Sequence, residues 1–154
     1  MNEEIKVLSN DYIPKLVTFK IDQQKELAKD IMIEELKLLE DSERSFLNKH
    51  LNNDLTIYGY FYGDELAAVC GLQIYESSPG IRSINGLMAY ICNVYTVPKY
   101  RKIGYQNKLL DNCLKIVNEK EIRLIFLLAS NPIALKLYKK HGFASNEMML
   151  IKYN

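Results

Sequence analysis

A basic turn, Lys99 to Ile103, followed by Gly104, is the stretch of this chain whose residue types could hold a charged ligand. Such a turn feeding a helix leaves the first backbone N–H groups of that helix unpaired and aimed at one spot, where an anion can sit. Arg101 and Lys102 add positive charge beside those donors. The chemistry is that of a phosphate or pyrophosphate cradle, with a single Gly and without the G-x-x-x-x-G-K-[ST] pattern of a P-loop. Further on, Asn131-Pro132 is a helix start, since Asn can cap and Pro is favoured at the first helical position. Tyr138 lies seven residues beyond Asn131, two helical turns, so both side chains face the same way and can address one ligand. Helix periodicity alone makes Leu137, Tyr138 and Phe143 core anchors. His50 and His141 belong to no motif, and His141 against Gly142 suits a helix end. Cys70, Cys92 and Cys113 are isolated and odd in number, without C-x-x-C or a His cluster, which argues against disulfides and zinc and for a reducing cytoplasm.

The elements that must position these residues follow from periodicity. Val94 to Val97 are β-branched or aromatic and Pro98 stops pairing, so the basic turn joins a strand to a helix running from about Gly104 to Asn118. The strand itself, Leu87 to Val97, lacks charge and sharp alternation, as a central strand buried on both faces does. Ile122 to Ser130 is a second buried strand, completing a parallel βαβ unit, and a helix from Ile133 to Lys140 ends at His141-Gly142. Upstream, Glu4 to Leu8 reads as a short strand followed by a cap at Ser9, Asn10 or Asp11. Tyr12 to Leu39 predicts two helices broken near Asp22, and Ser42 to Leu51 a third. From Leu55 the period becomes two, and TIYGYFY and ELAAVCGLQIY flank Gly63-Asp64 as a hairpin. Glu76 to Gly86 is a polar loop, and Met148 to Tyr153 a closing strand.

Size and charge limit what this assembly can be. The 154 residues amount to one domain, 1–154, with enough chain for a core. A net charge of +1 sets up no global field to recruit nucleic acid or an anionic membrane, so any anion site must be local. The acidic start MNEEIKVLSN lacks the order of a signal peptide, and no apolar run approaches the ~18 residues of a membrane span, which predicts a soluble, cytoplasmic protein.

Two blocks together resemble the GNAT superfamily of N-acetyltransferases. VYTVPKYRKIGYQNKLL is similar to its motif A, [RQ]-x-x-G-x-[GA], and NPIALKLYKKHGF to its motif B, N-x-x-A-x-x-[LF]-Y-x-x-x-G-F. Motif B matches throughout; in motif A, Gln106 stands where the family has Gly or Ala. The resemblance implies an α/β fold, a GNAT-like mixed central sheet splayed between strands 4 and 5 and flanked by helices on both faces. It also implies acetyl-CoA as cosubstrate, no metal, and a small-molecule or peptide amine as acceptor, with a homodimer as a possible assembly.

The implied roles fall on particular residues. Val94, Tyr95 and Thr96 match the positions that bond the pantetheine arm through their backbone. Arg101 belongs to motif A, and Lys102, Ile103, Gly104, Tyr105, Gln106 and Asn107 match the pyrophosphate loop. The Gln106 side chain is expected to narrow that cradle, so that Gln106→Gly is tolerated or tightens binding. Asn131 matches the cofactor-contacting Asn, and Tyr138 the acid that protonates the departing thiolate, for which a phenol near ~10 is well matched. A general base is not evident: the strand before the turn carries no carboxylate or histidine, leaving Glu76 first, then Glu34, Glu35 or a water chain, with His141 as the chemical alternative. The missing base and Gln106 motivate a second reading, a non-catalytic acyl-CoA-binding or interaction domain of the same fold.

Overall fold

Alternating strands around Gly63-Asp64 build the first part of the sheet. In the computed structural model, which describes residues 1–129 and 131–154, β2 (Leu55–Tyr62) turns through these two residues into β3 (Glu65–Glu76), and Gly63 takes φ +60° as a tight hairpin turn demands. The hairpin lies between β1 (Glu3–Val7) and β4 (Leu87–Thr96), both antiparallel to it, and β5 (Leu124–Leu127) pairs parallel to β4. The sheet is therefore mixed, in the order β1-β2-β3-β4-β5. Ser130, the last residue of the strand expected from Ile122, lies outside the described residues.

Helices cover both faces. On one, α1 (Ile13–Leu27) and α2 (Ile33–His50) bury Leu16, Val17, Phe19 and Leu47 against Ile57, Phe61, Val69 and Tyr95. On the other, α3 (Tyr105–Glu119) and α4 (Pro132–Lys140) bury Tyr105, Leu109, Leu110, Cys113 and Tyr138 against Tyr58, Cys70, Leu72, Ala89 and Ile91.

The helix boundaries of the N-terminal half differ from expectation. Asp22 lies inside α1, and the chain breaks instead after Leu27, where Ala28 is extended. The restart is fixed by Glu35, whose carboxylate accepts from the backbone N–H of Met32 at 3.2 Å. Ser42 to Leu51 is not a separate helix: the ion pairs Lys37–Asp41 (3.2 Å) and Arg44–Glu40 (3.4 Å) cross the expected joint, and α2 runs through it. Met148 to Tyr153 forms no strand. Leu150 is 93% exposed, because β-prone composition makes a strand only where an edge is available to pair.

A polar clasp ties β1 to α3. Glu3 accepts from the hydroxyls of Tyr60 (2.7 Å) and Tyr105 (3.0 Å) and lies 3.4 Å from Lys108, while the two rings stack at 4.1 Å. The Tyr60 and Tyr105 hydrogen bonds, more than the lysine, hold the Glu3 carboxyl below its ordinary value of 4.5. A carboxylate lowered in the folded state contributes stability above its unfolded pKa, and that stability is lost as pH falls through the folded value. Glu3→Gln is therefore expected to lower Tm at pH 7, with the gap to the parent closing as the solution is taken below pH ~4. A gap that stays constant on acidification would remove Glu3 from the acid response.

Candidate functional site

The site begins where two strands part. β5 pairs with β4 from Met88 to Ile91, whereas β4 continues to Thr96, so among the described residues Cys92 to Thr96 have no partner on that side. A bulge causes the parting: Asn93 and Val94 together oppose Cys70, and Asn93 takes φ +49°. A bulge bends its strand and increases its twist, here away from β5. Gly71 permits the close approach, since a Cβ there would lie 2.8 Å from the Cys92 carbonyl oxygen. Between the parted strands opens a cleft of ≈ 550 Å³, reaching from α1 past β4 to the starts of α3 and α4.

At one end of the cleft stands the N-terminus of α3. Lys102 (φ +64°) and Gly104 (φ +92°) turn the chain sharply, and the first intrahelical bond runs from Lys108 N–H to the Gly104 carbonyl at 3.3 Å. The amides of Tyr105, Gln106 and Asn107 are thus left for a ligand. A Cβ on Gly104 would meet nothing within 4 Å, so the backbone angle, not lack of space, requires glycine there. Lys102 and Ile103 are exposed beside it. Asn107 supplies a separate sign of a missing partner: its side-chain oxygen is buried without a hydrogen bond. These groups fit an extended ligand that brings an anion to the helix amides and an N–H or O–H to Asn107.

Side chains already occupy several of the expected backbone contacts. Gln23 donates to the Val94 carbonyl (2.7 Å), Gln106 to Tyr95 (2.9 Å) and the Arg101 Nε to Thr96 (2.9 Å). The Arg101 charge is also committed. Its Nη2 lies 2.8 Å from both carboxylate oxygens of Glu26, which raises the guanidinium pKa further, so Arg101 joins the turn to α1, while Lys102 makes no ion pair among the described residues and stands exposed near the helix amides.

Gln106 lines the cleft, and its side-chain amide is bonded to the sheet. Its amide reaches both Val69 O and Tyr95 O at 2.9 Å, bracing α3 against β3 and β4 at the bulge. Gln106→Gly is accordingly expected to remove two hydrogen bonds and add the helix cost of glycine, together about 2 to 4 kcal/mol, without tightening cofactor binding. Thermal unfolding and acetyl-CoA titration of the variant check both halves, and a variant as stable as the parent would show the brace to be dispensable.

At the other end, Asn131 caps α4 by accepting from Ala134 N–H at 2.8 Å, and it also lines the cleft. Tyr138 combines both readings of the sequence: it is 5% exposed, edge-on to Phe143, and lines the same cleft. Burial above all, then the fields of Cys70 and Tyr90, push its phenol up to about 12. The close match expected of an ordinary phenol is thereby shifted: Tyr138 stays protonated at neutral pH and is the weaker acid.

The candidate bases are scattered. Glu76 ends β3 opposite Leu87, exposed, and five residues of strand separate Leu87 from Cys92, ~17 Å along β4. Glu35 caps α2 and Glu34 is exposed. His141 lies against the Leu137 carbonyl (2.9 Å) and Asp111 (3.0 Å), and His50 against Asp54 (2.7 Å). None of these lines the cleft. Sequence reading missed Gln23, Glu26 and Asn93, which line the cleft. Only Asn93 carried a signal, as the lone amide inside an apolar strand and a residue type that tolerates positive φ.

Comparison with known proteins bears on this geometry. The model of the acetyltransferase (GNAT) family matches residues 21–143. No curated protein matches the chain. Among solved structures, a predicted acetyltransferase from Clostridium acetobutylicum, determined with acetyl-CoA, is 26% identical with a TM-score of 0.84, over 99% of this chain and 96% of that one. A GCN5-related N-acetyltransferase from Ralstonia eutropha JMP134 is 20% identical with a TM-score of 0.86, over 99% of each chain, and shares the fold. A possible acetyltransferase from Clostridium difficile 630 shares it also, at 19% identity and a TM-score of 0.79, over 100% of this chain and 98% of that one.

Proposed function

Because this chain belongs to the acetyltransferase (GNAT) family, we propose that it transfers the acetyl group of acetyl-CoA directly to a primary amine, with Tyr138 as the acid. The observation that carries this reading is the continuity of one cleft, from the free amides of α3, along the unpaired edge of β4, to the Tyr138 ring. The Clostridium acetobutylicum relative, determined with acetyl-CoA, supports the choice of cosubstrate.

Acetyl-CoA supplies an activated acyl carbon and an anionic handle. The amides of Tyr105, Gln106 and Asn107 hold the pyrophosphate at the positive end of the helix, aided by Lys102. Asn107 accepts a hydrogen bond from the arm, and Val94 offers it the carbonyl to which Gln23 also donates. Asn131 keeps its cap and turns its amide N–H₂ toward the ligand. Tyr138 gives its proton to the sulfur as the carbon–sulfur bond breaks. Its hydroxyl carries its proton at neutral pH, as an ordinary phenol does, and the raised pKa makes it more reluctant to give that proton up, so the phenol acts first as a hydrogen-bond donor to developing negative charge.

Calorimetry with acetyl-CoA, followed by thiol release across a panel of amines, tests the reading. Binding with release on at least one amine is expected. Failure to bind acetyl-CoA would sink the assignment, and binding without release on any amine would select the non-catalytic alternative. Gln106, one motive for that alternative, donates to the Val69 and Tyr95 carbonyls, so it takes up a backbone contact expected of the arm.

A further inference from the structure

The cleft passes through the sheet. Its lining includes Asn131 and Tyr138 of α4 on one face and Lys20 and Gln24 of α1 on the other, joined through the gap where β4 and β5 part. The groups assigned to acetyl-CoA at the anion and acid ends, namely the α3 amides, Lys102, Asn131 and Tyr138, stand on α3, on α4 and in the turn before α3, so the α1 side is left for the acceptor. Lys20 and Gln24 are one helical turn apart and therefore neighbours on α1. Both are half-buried, and neither side chain makes a hydrogen bond or an ion pair among the described residues, whereas Gln23 beside them donates to the Val94 carbonyl. Their polar ends are free to serve a ligand in the cleft.

Charge on this side is positive. Glu26 is the one carboxylate among the described cleft-lining residues, and Arg101 lies 2.8 Å from both its oxygens. That pair cancels, which leaves the Lys20 ammonium uncompensated. Its field reaches the start of the gap: burial pushes the Cys92 thiol up to about 12, Lys20 pulls against that rise, and Cys92 is the first residue of β4 beyond the pairing with β5. Glu43, whose field opposes that of Lys20 at Cys92, accepts from Asn93 at 2.8 Å, makes no ion pair with Lys20 and does not line the cleft. A cationic ligand group would meet an unpaired positive charge here. An anionic one would find an ammonium and an amide N–H₂ side by side on α1, donors suited to the two oxygens of a carboxylate.

We propose that the acceptor is a free amino acid, its carboxylate held by Lys20 and Gln24 and its nitrogen placed at the gap between β4 and β5. This rests on the acetyl-transfer reading above. A single carbon separates the two charged ends of an α-amino acid, so a carboxylate on Lys20 keeps the nitrogen close to Cys92. Pairing the carboxylate with Lys20 also offsets the negative charge that holds the proton on the neighbouring ammonium, which eases its loss. The ammonium gives one proton to solvent, and its freed lone pair forms the C–N bond to the acyl carbon. As the C–S bond breaks, the sulfur receives the Tyr138 proton, and the second proton leaving nitrogen restores that hydroxyl. Amino acid and thioester become N-acetyl amino acid, thiol and one released proton.

Thiol release from acetyl-CoA is measured on the parent and on Lys20→Met with matched pairs, each standard L-amino acid against its own uncharged carboxamide, and acetyl-CoA is titrated by calorimetry into each protein. In the parent, at least one amino acid is expected to show a kcat/KM about 10-fold or more above that of its carboxamide, the scale of a charge-assisted hydrogen bond. Lys20→Met, which keeps the stem and removes the charge, should abolish that preference through KM and leave acetyl-CoA affinity unchanged. Carboxamides that match their amino acids in the parent, no release with any amino acid, or a preference that survives in Lys20→Met overturns the inference, while release with other amines keeps the functional reading in place. A fall of acetyl-CoA affinity in Lys20→Met overturns it too, since Lys20 would then serve the cosubstrate. A parent that takes no acetyl-CoA overturns both. Should Lys20→Met fail to fold, Lys20→Gln is read by the same preference.

Discussion

Tyr138→Phe is expected to fold and to bind acetyl-CoA like the parent, while its turnover at saturating amine falls about 10²-fold or more, the scale of general acid catalysis. Phe keeps the ring that packs edge-on to Phe143 and removes only the hydroxyl. A residue serving solely as a core anchor would lose little by that change, so one rate separates the two roles of a side chain that is at once buried and cleft-lining. The loss must appear in kcat, since a change confined to KM reports binding. Its pH dependence is a second readout. With the phenol pushed up to about 12 by burial, the parent keeps its acid protonated through the alkaline range, and no fall of rate near the ordinary phenol value of 10 should be traceable to Tyr138. The deficit of the variant should shrink in acidic buffer, where solvent can protonate the sulfur. Unchanged turnover would remove Tyr138 from the mechanism and leave the fold assignment intact.

Gly104→Val is expected to weaken acetyl-CoA binding by about tenfold or more. The residue holds φ +92°, where an L side chain is strained and a β-branched one most of all, at roughly 1 to 2 kcal/mol or above. Relief of that strain must rotate the turn, and with it the amides of Tyr105, Gln106 and Asn107 that point at the ligand. Because a Cβ at Gly104 would touch nothing, the substitution should act through backbone direction and spare the core. Circular dichroism and thermal melting establish folding, and acetyl-CoA calorimetry reads the effect. A folded variant with parental affinity would show that the α3 amides are not the anion site.

Several features could be read directly from the chain because neighbouring residues decide them. Gly104 before a helical run, Asn131-Pro132 at a helix start and Gly63-Asp64 between alternating strands each settle local backbone geometry, and all three stand where the sequence put them. The periodicity gave a parallel βαβ unit, and the splayed mixed sheet around it came from the family resemblance that the two motif blocks carry. The N-terminal helices were less legible: an Asp is tolerated inside a helix at small cost, and the true break at Ala28 shows no glycine or proline.

What only the tertiary structure decided is how distant side chains meet at the bulge. Arg101 finds Glu26 across 75 positions and Glu43 finds Asn93 across 50. Gln106, by sequence an obstacle beside the pyrophosphate, turns to the carbonyls of Val69 and Tyr95. Neither charge nor residue type foretells such pairings, because they depend on strand register, on one extra residue in β4 and on the bend that this bulge imposes. Burial works the same way on Tyr138: the sequence supplies a phenol, and the surrounding core sets the strength of the acid.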